Sequence, residues 1–141
     1  MTRRARTLLM LSTITVGLAA CGRSPAAPAP VVASVGGAWT GTAKSAAAIG
    51  NFTLPISLSI AQTGTAVSGS YGCSSVFCMS PTGTVSGTVS ATTFTAQIVF
   101  PNGGICGTFN ATVLAGGTRM EGTYACNGPD GPDSGTWQMT K

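Results

Sequence analysis

The sequence contains no histidine and only three carboxylates, Glu121, Asp130 and Asp133. The first absence removes the commonest general base and the commonest metal ligand. The second leaves paired-carboxylate hydrolysis with few possible actors. Charged residues make up 7% of the chain, and helical periodicity is missing from Gly37 onward. The apolar run from Thr7 to Leu18 falls short of the roughly 20 residues that a spanning helix needs. These absences make catalysis the weakest functional reading, and no cofactor is expected.

What is present begins with export. Arg3, Arg4 and Arg6 precede the uncharged run Thr7–Leu18, and the small residues Ala19 and Ala20 precede Cys21. That order predicts a secretory signal over residues 1–20, removed on maturation. With it go three of the seven cations. The remainder sets Arg23, Lys44, Arg119 and Lys141 against the three carboxylates, a balance of +1. The basic footprint of a nucleic-acid partner is therefore absent.

Leu18-Ala19-Ala20-Cys21 resembles the bacterial lipobox, and over these first residues the chain resembles a lipoprotein precursor. The resemblance implies cleavage before Cys21, a diacylglycerol on its sulfur and a further acyl chain on its amine. Two or three chains anchor stably, at about 0.8 kcal/mol per buried CH₂. The partner so implied is a membrane reached through the N-terminal lipid, and Gly22 in place of Asp points to the outer membrane by the enterobacterial sorting rule. Residues 21–36, rich in proline and alanine, then read as a lipidated cysteine on an extended spacer.

Residues 37–141 predict one all-β domain. Phe52, Leu54, Ile56, Leu58 and Ile60 share one strand face, with Thr53, Ser57 and Ser59 on the other. The same beat recurs at Val67-Gly69-Tyr71-Cys73, Val85-Gly87-Val89, Phe94-Ala96-Ile98-Phe100, Ile105-Gly107-Phe109-Ala111-Val113 and Met120-Gly122-Tyr124. A first strand with Trp39 and a last with Trp137 and Met139 bring the number to eight. Tight turns at Thr63-Gly64, Ala91-Thr92 and Gly116-Gly117 pair Ile60 with Val67, Val89 with Phe94, and Val113 with Met120. Ala91-Thr92 suits a type I′ turn poorly, which leaves a longer turn open there. Longer links at 45–50, 74–81, 101–104 and 127–133 alternate with the tight ones. The expectation is an eight-stranded antiparallel up-and-down meander barrel, with tight turns at one end and long loops at the other.

Gly37-Ala38-Trp39-Thr40 resembles the Gly-x-Trp motif that opens barrels of the calycin group, the lipocalin and avidin type. In lipocalins a basic residue from a late strand packs on that tryptophan; here Lys141 is the residue available. The ligand residues of avidins are not recognisable, and none is carried over.

Four cysteines follow Cys21, and an exported domain with an even number suggests two disulfides. Cys73 and Cys78 border one loop, while Cys106 begins a strand where Cys126 ends the next, so Cys73–Cys78 and Cys106–Cys126 are expected. The Gly116-Gly117 register places Gly107, not Cys106, opposite Cys126; a bulge or a frayed end must reconcile the two. The cysteine spacing does not suit zinc. The polar stretch Asn127–Ser134 offers a few oxygens for calcium, but its Gly-Pro turns explain Asp130 and Asp133 without an ion. A membrane-spanning barrel would turn the apolar face to lipid and leave serine and threonine inside.

Two functions survive. One is a lipid-anchored envelope component with a structural or protein-partner role. The other is a binder of a small apolar ligand, lined by Trp39, Tyr71, Phe109 and Tyr124. The glycines Gly69, Gly87, Gly107 and Gly122 suggest space inside. The many large apolar side chains predict a mostly filled core, with Trp39 beside Met139 as a plug at the tight-turn end.

Overall fold

Alternation of apolar and polar residues becomes eight strands: β1 (Gly37–Ser45), β2 (Thr53–Thr63), β3 (Ala66–Cys73), β4 (Thr82–Ser90), β5 (Thr93–Val99), β6 (Ile105–Val113), β7 (Arg119–Gly128) and β8 (Gly131–Thr140). The structure, a computed structural model, describes residues 31–46, 52–128 and 131–141. The expected signal peptide, Cys21, most of the spacer and Asp130 lie outside the described residues. Each strand pairs antiparallel with the next, and β8 pairs back onto β1. The fold is thus an all-β, closed, up-and-down barrel.

Strict alternation sets its two faces. In β2, Leu54, Ile56, Leu58 and Ile60 are buried while Thr53, Ser57 and Ser59 are exposed. β5 does the same with Phe94, Ala96 and Ile98. The core is therefore the barrel interior, and serine and threonine dominate the outside. A lipid-spanning barrel needs an outward apolar band, so the arrangement with serine and threonine inside is excluded.

Two of the three tight links differ in detail from expectation. The β2–β3 turn centres on Gly64-Thr65, so Ile60 faces Gly69, Leu58 faces Tyr71 and Ile56 faces Cys73. The expected partners were each two residues earlier. Gly64 has φ +60, the left-handed backbone that a type II′ turn takes at its first central position. A slip of two residues leaves every inward side chain inward. The β4–β5 link is the expected two-residue turn at Ala91-Thr92, with Ala91 at φ +48 and Val89 opposite Phe94. The β6–β7 link keeps Val113 opposite Met120. It is a longer link containing a 3₁₀ turn at Ala115–Gly117, with Gly116 and Gly117 at φ +83 and +65.

β6 carries a bulge at Gly107. Cys106 faces Cys126, and Thr108 faces Ala125, so one extra residue lies between them. The bulge turns Ile105 and Gly107 outward and Cys106 inward. This corrects the expected face of Ile105 and Gly107; a Cβ at Gly107 would meet nothing within 4 Å. It also resolves the cysteine register: Cys106 and Cys126 stand at disulfide distance, as do Cys73 and Cys78.

The remaining inward glycines mark close backbone approach, not empty space. A Cβ at Gly69, Gly87 or Gly122 would collide with the backbone oxygen of Ser59, Thr95 or Asn110 on the neighbouring strand. Several also face a large partner: Gly122 opposite Trp137, Gly135 opposite Tyr124, Gly83 opposite Tyr71.

The tight-turn end is sealed by a segment expected to be spacer. Val35 is fully buried, and its carbonyl accepts from Trp39 Nε1 at 2.7 Å. Gln62 staples the segment, its Oε1 accepting from Val35 N at 2.6 Å and its Nε2 donating to Ala33 O at 3.0 Å. Ala33 N donates to Ala91 O at 2.8 Å. The folded domain therefore starts by Ala33, because an apolar valine and the N–H and C=O groups of both Ala33 and Val35 find partners there. The β1–β8 register sets Gly41, not Trp39, opposite Met139. Trp39 instead meets the chain end: Lys141 Nζ lies 5.0 Å from its ring centroid and donates to Ser34 O and Gly36 O.

Two measurements follow from this geometry. Ala91→Gly relieves a left-handed alanine and should stabilise the domain by about 0.5–1 kcal/mol after the entropy glycine adds to the unfolded chain, read as a melting temperature a few degrees higher. Opening Cys106–Cys126, with 20 residues of separation, should cost about 3 kcal/mol, against about 2 kcal/mol for Cys73–Cys78. Peptide mapping without reductant, then denaturation of the paired Ser variants, checks both the pairing and the ranking.

Candidate functional site at the open end

The other end is built differently. Alternation carries Ser45 of β1, Tyr71 of β3, Tyr124 of β7 and Asp133 of β8 inward near the strand ends that lead into the longer links. Beneath them the interior is an aromatic column. Phe94 meets Trp137 edge-on at 6.2 Å, Trp137 stacks on Phe109 at 4.3 Å, and Phe109 leans on Tyr124 at 6.3 Å. Trp137 Nε1 donates to Thr123 O at 3.1 Å, so the buried indole carries no unpaired donor.

Among the described residues the column leaves a cavity of about 30 Å³ below the open end, lined by Leu54, Ile56, Tyr71, Phe100, Tyr124 and Asp133 among others. That is about the volume of a single water. The β3–β4 link covers it. Phe77 stacks on Phe52 at 4.3 Å, and Met79 reaches across to Gly128, whose missing Cβ admits its methyl group. Val76 and Phe77 remain 92% and 61% exposed, which gives the rim an apolar character. Outside the cavity a groove of about 300 Å³ runs between Phe52, Phe77, Met79 and Pro132, and it too ends on Asp133.

Asp133 organises the polar part. Its Oδ1 accepts from Ser45 Oγ at 2.6 Å and its Oδ2 from the Tyr124 hydroxyl at 2.8 Å. Burial raises the Tyr124 pKa well above the ordinary tyrosine value, and the bond to and charge of Asp133 raise it further. Burial alone pushes Tyr71 up to about 12. Both phenols are neutral at physiological pH.

Of the four expected lining residues, Tyr71, Phe109 and Tyr124 meet at this cavity. Trp39 does not; it seals the opposite end. Asp133 was expected in a polar loop over 127–133, but β7 and β8 stay paired out to Gly128 and Gly131, which makes Asp133 a strand residue. Its place was readable from parity, because Asp133, Gly135, Trp137 and Met139 share one face. Ser45 follows from Trp39, Gly41 and Ala43 in the same way. Among the described residues no group of three His, Cys, Asp or Glu side chains could hold a metal ion. No family model, curated protein or solved structure matches this chain.

The phenols set an alkaline limit. Unfolded tyrosine ionises near pH 10, whereas Tyr71 keeps its proton to about pH 12. The folded state then holds more protons, so the contribution of Tyr71 is intact below pH about 10 and is lost as the pH rises through its folded value. Denaturation curves across this range should show stability falling, with a shallower fall in Tyr71→Phe; parallel curves for the two proteins contradict the assignment.

Proposed function

We propose that the chain is an envelope lipoprotein, anchored through Cys21 in the outer membrane, whose barrel serves a structural or protein-interaction role and carries out no catalysis. The observation that carries this reading is the filled interior. Among the described residues a barrel occupied from Val35 and Phe94 up to Tyr124 leaves an interior cavity of about 30 Å³, whereas small-molecule pockets run to roughly 300–1,000 Å³. What such a barrel offers a partner is its rim, where Val76 and Phe77 are exposed. The described chain enters at the sealed end, so a lipid at Cys21 tends to leave the rim pointing away from the bilayer. Membership of the calycin group is part of the same proposal; Lys141 over Trp39 is the contact its Gly-x-Trp motif leads one to look for.

The alternative reading, a small apolar ligand at the open end, draws on the apolar walls beneath Met79. Fluorescent apolar probes such as N-phenyl-1-naphthylamine separate the two. The proposal expects no saturable binding, and tight stoichiometric binding overturns it. In parallel, Cys21→Ser should move the protein from the membrane to the soluble fraction. An intact mass for the wild type with Cys21 unmodified removes the anchor.

A further inference from the structure

Asp133 is a carboxylate turned into the barrel, and no opposite charge among the described residues pairs with it. Among the described residues the only ion pair is Arg119 with Glu121. Lys44 lies on the exposed face of β1, and Lys141 is engaged at the sealed end. Ser45 and Tyr124 each donate one hydrogen bond to Asp133, and a carboxylate has about four acceptor positions. Two positions are therefore left for another donor.

The surroundings narrow the chemistry of that donor. Tyr71 lines the cavity and makes no hydrogen bond with another described residue. Aromatic faces bound the same space: Tyr71 with Phe100 at 5.8 Å, and Phe109 with Tyr124. Aromatic faces attract organic cations. A calcium ion wants six to eight oxygens, which this set does not supply. A cavity of about 30 Å³ admits a compact head of one heavy atom with its hydrogens, so an ammonium suits it better than a planar guanidinium. The groove between Phe52, Phe77, Met79 and Pro132 meets the cavity at Asp133 and Met79. It is apolar where a ligand's stem would lie, and Met79 is unbranched and adaptable.

We propose that the open end recognises a single alkylammonium group, its head held by Asp133 and Tyr71 and its apolar stem laid in the Phe52–Phe77 groove. This deepens the interaction reading, and rests on it only for the source of the cation. A lysine side chain of a partner protein and a free primary amine share the chemistry.

The test is an NMR titration of the disulfide-intact domain, at constant ionic strength and neutral pH, with four probes: n-butylammonium, Nα-acetyl-lysine methylamide, butyrate and butanol. The expected result is saturable shifts at Tyr71, Tyr124 and Asp133 with n-butylammonium and none with butyrate or butanol. Asp133→Asn should weaken binding by at least about tenfold, the loss of a charge-assisted contact. Tyr71→Phe removes only a hydroxyl with no bond to another described residue, so it should fold normally and still weaken binding several-fold. Binding of both amines supports a lysine-bearing partner. Binding of n-butylammonium alone keeps the cation site and sinks the protein partner. Equal, non-saturating shifts with all four probes, or unchanged affinity in both variants, overturn the proposal.

Discussion

The ladder between β1 and β8 is the constraint on which the rest depends. Gly41 opposite Met139 and Ala43 opposite Trp137 turn an eight-stranded sheet into a ring. A ring has no edge strands to pair with other chains. It also gives every strand one face that must be filled and one that must be wet. Serine and threonine on the outside and Leu, Ile, Val and aromatic residues on the inside follow from that division. Gly41 is part of how the seam closes, since a Cβ there would collide with the Gln138 carbonyl oxygen.

The ring has two unlike ends because side-chain size is distributed unevenly along its axis. Trp39, Val89, Phe94, Met120 and Met139 are among the largest fully buried residues, near the short turns, and Val35 closes over them. Each such side chain contributes roughly 1.5–3 kcal/mol relative to exposure in water. At the other end Ser45, Tyr71, Tyr124 and Asp133 bring polar tips into the same interior. The sealed end supplies the bulk of the packing. The open end holds the chemistry: a carboxylate, two neutral phenols and an apolar rim stapled by Cys73 and Cys78.

Glycine is the residue whose role changes most between sequence and structure. A recurring Gly-x-aromatic beat suggests an interior left hollow. In the barrel, Gly69, Gly87 and Gly122 sit where a neighbouring backbone comes too close for any Cβ, and Gly122 and Gly135 lie across from Trp137 and Tyr124. The volume that glycine omits is taken up by backbone and ring. Gly107 is different again, because it lies on the outer side of a bulge.

The sequence by itself determined the class of fold, the number of strands and, except around the Gly107 bulge, which strand side chains point inward. Period-two alternation is a local property that no long-range contact has to supply. It also pointed to the cysteine pairs, through their positions at strand ends, and to a bulge or a frayed end between them. Tertiary structure alone decided how the ring closes, because the β1–β8 register pairs residues as far apart as Thr40 and Thr140, which no local pattern can specify. It decided that residues 33–36 seal an end, since their partners, Gln62, Ala91 and Lys141, lie far along the chain. And it decided that Asp133 is a site residue: a Gly-Pro-rich stretch reads locally as a turn, and only the pairing of β7 with β8 out to Gly131 turns the carboxylate into the barrel toward Ser45 and Tyr124.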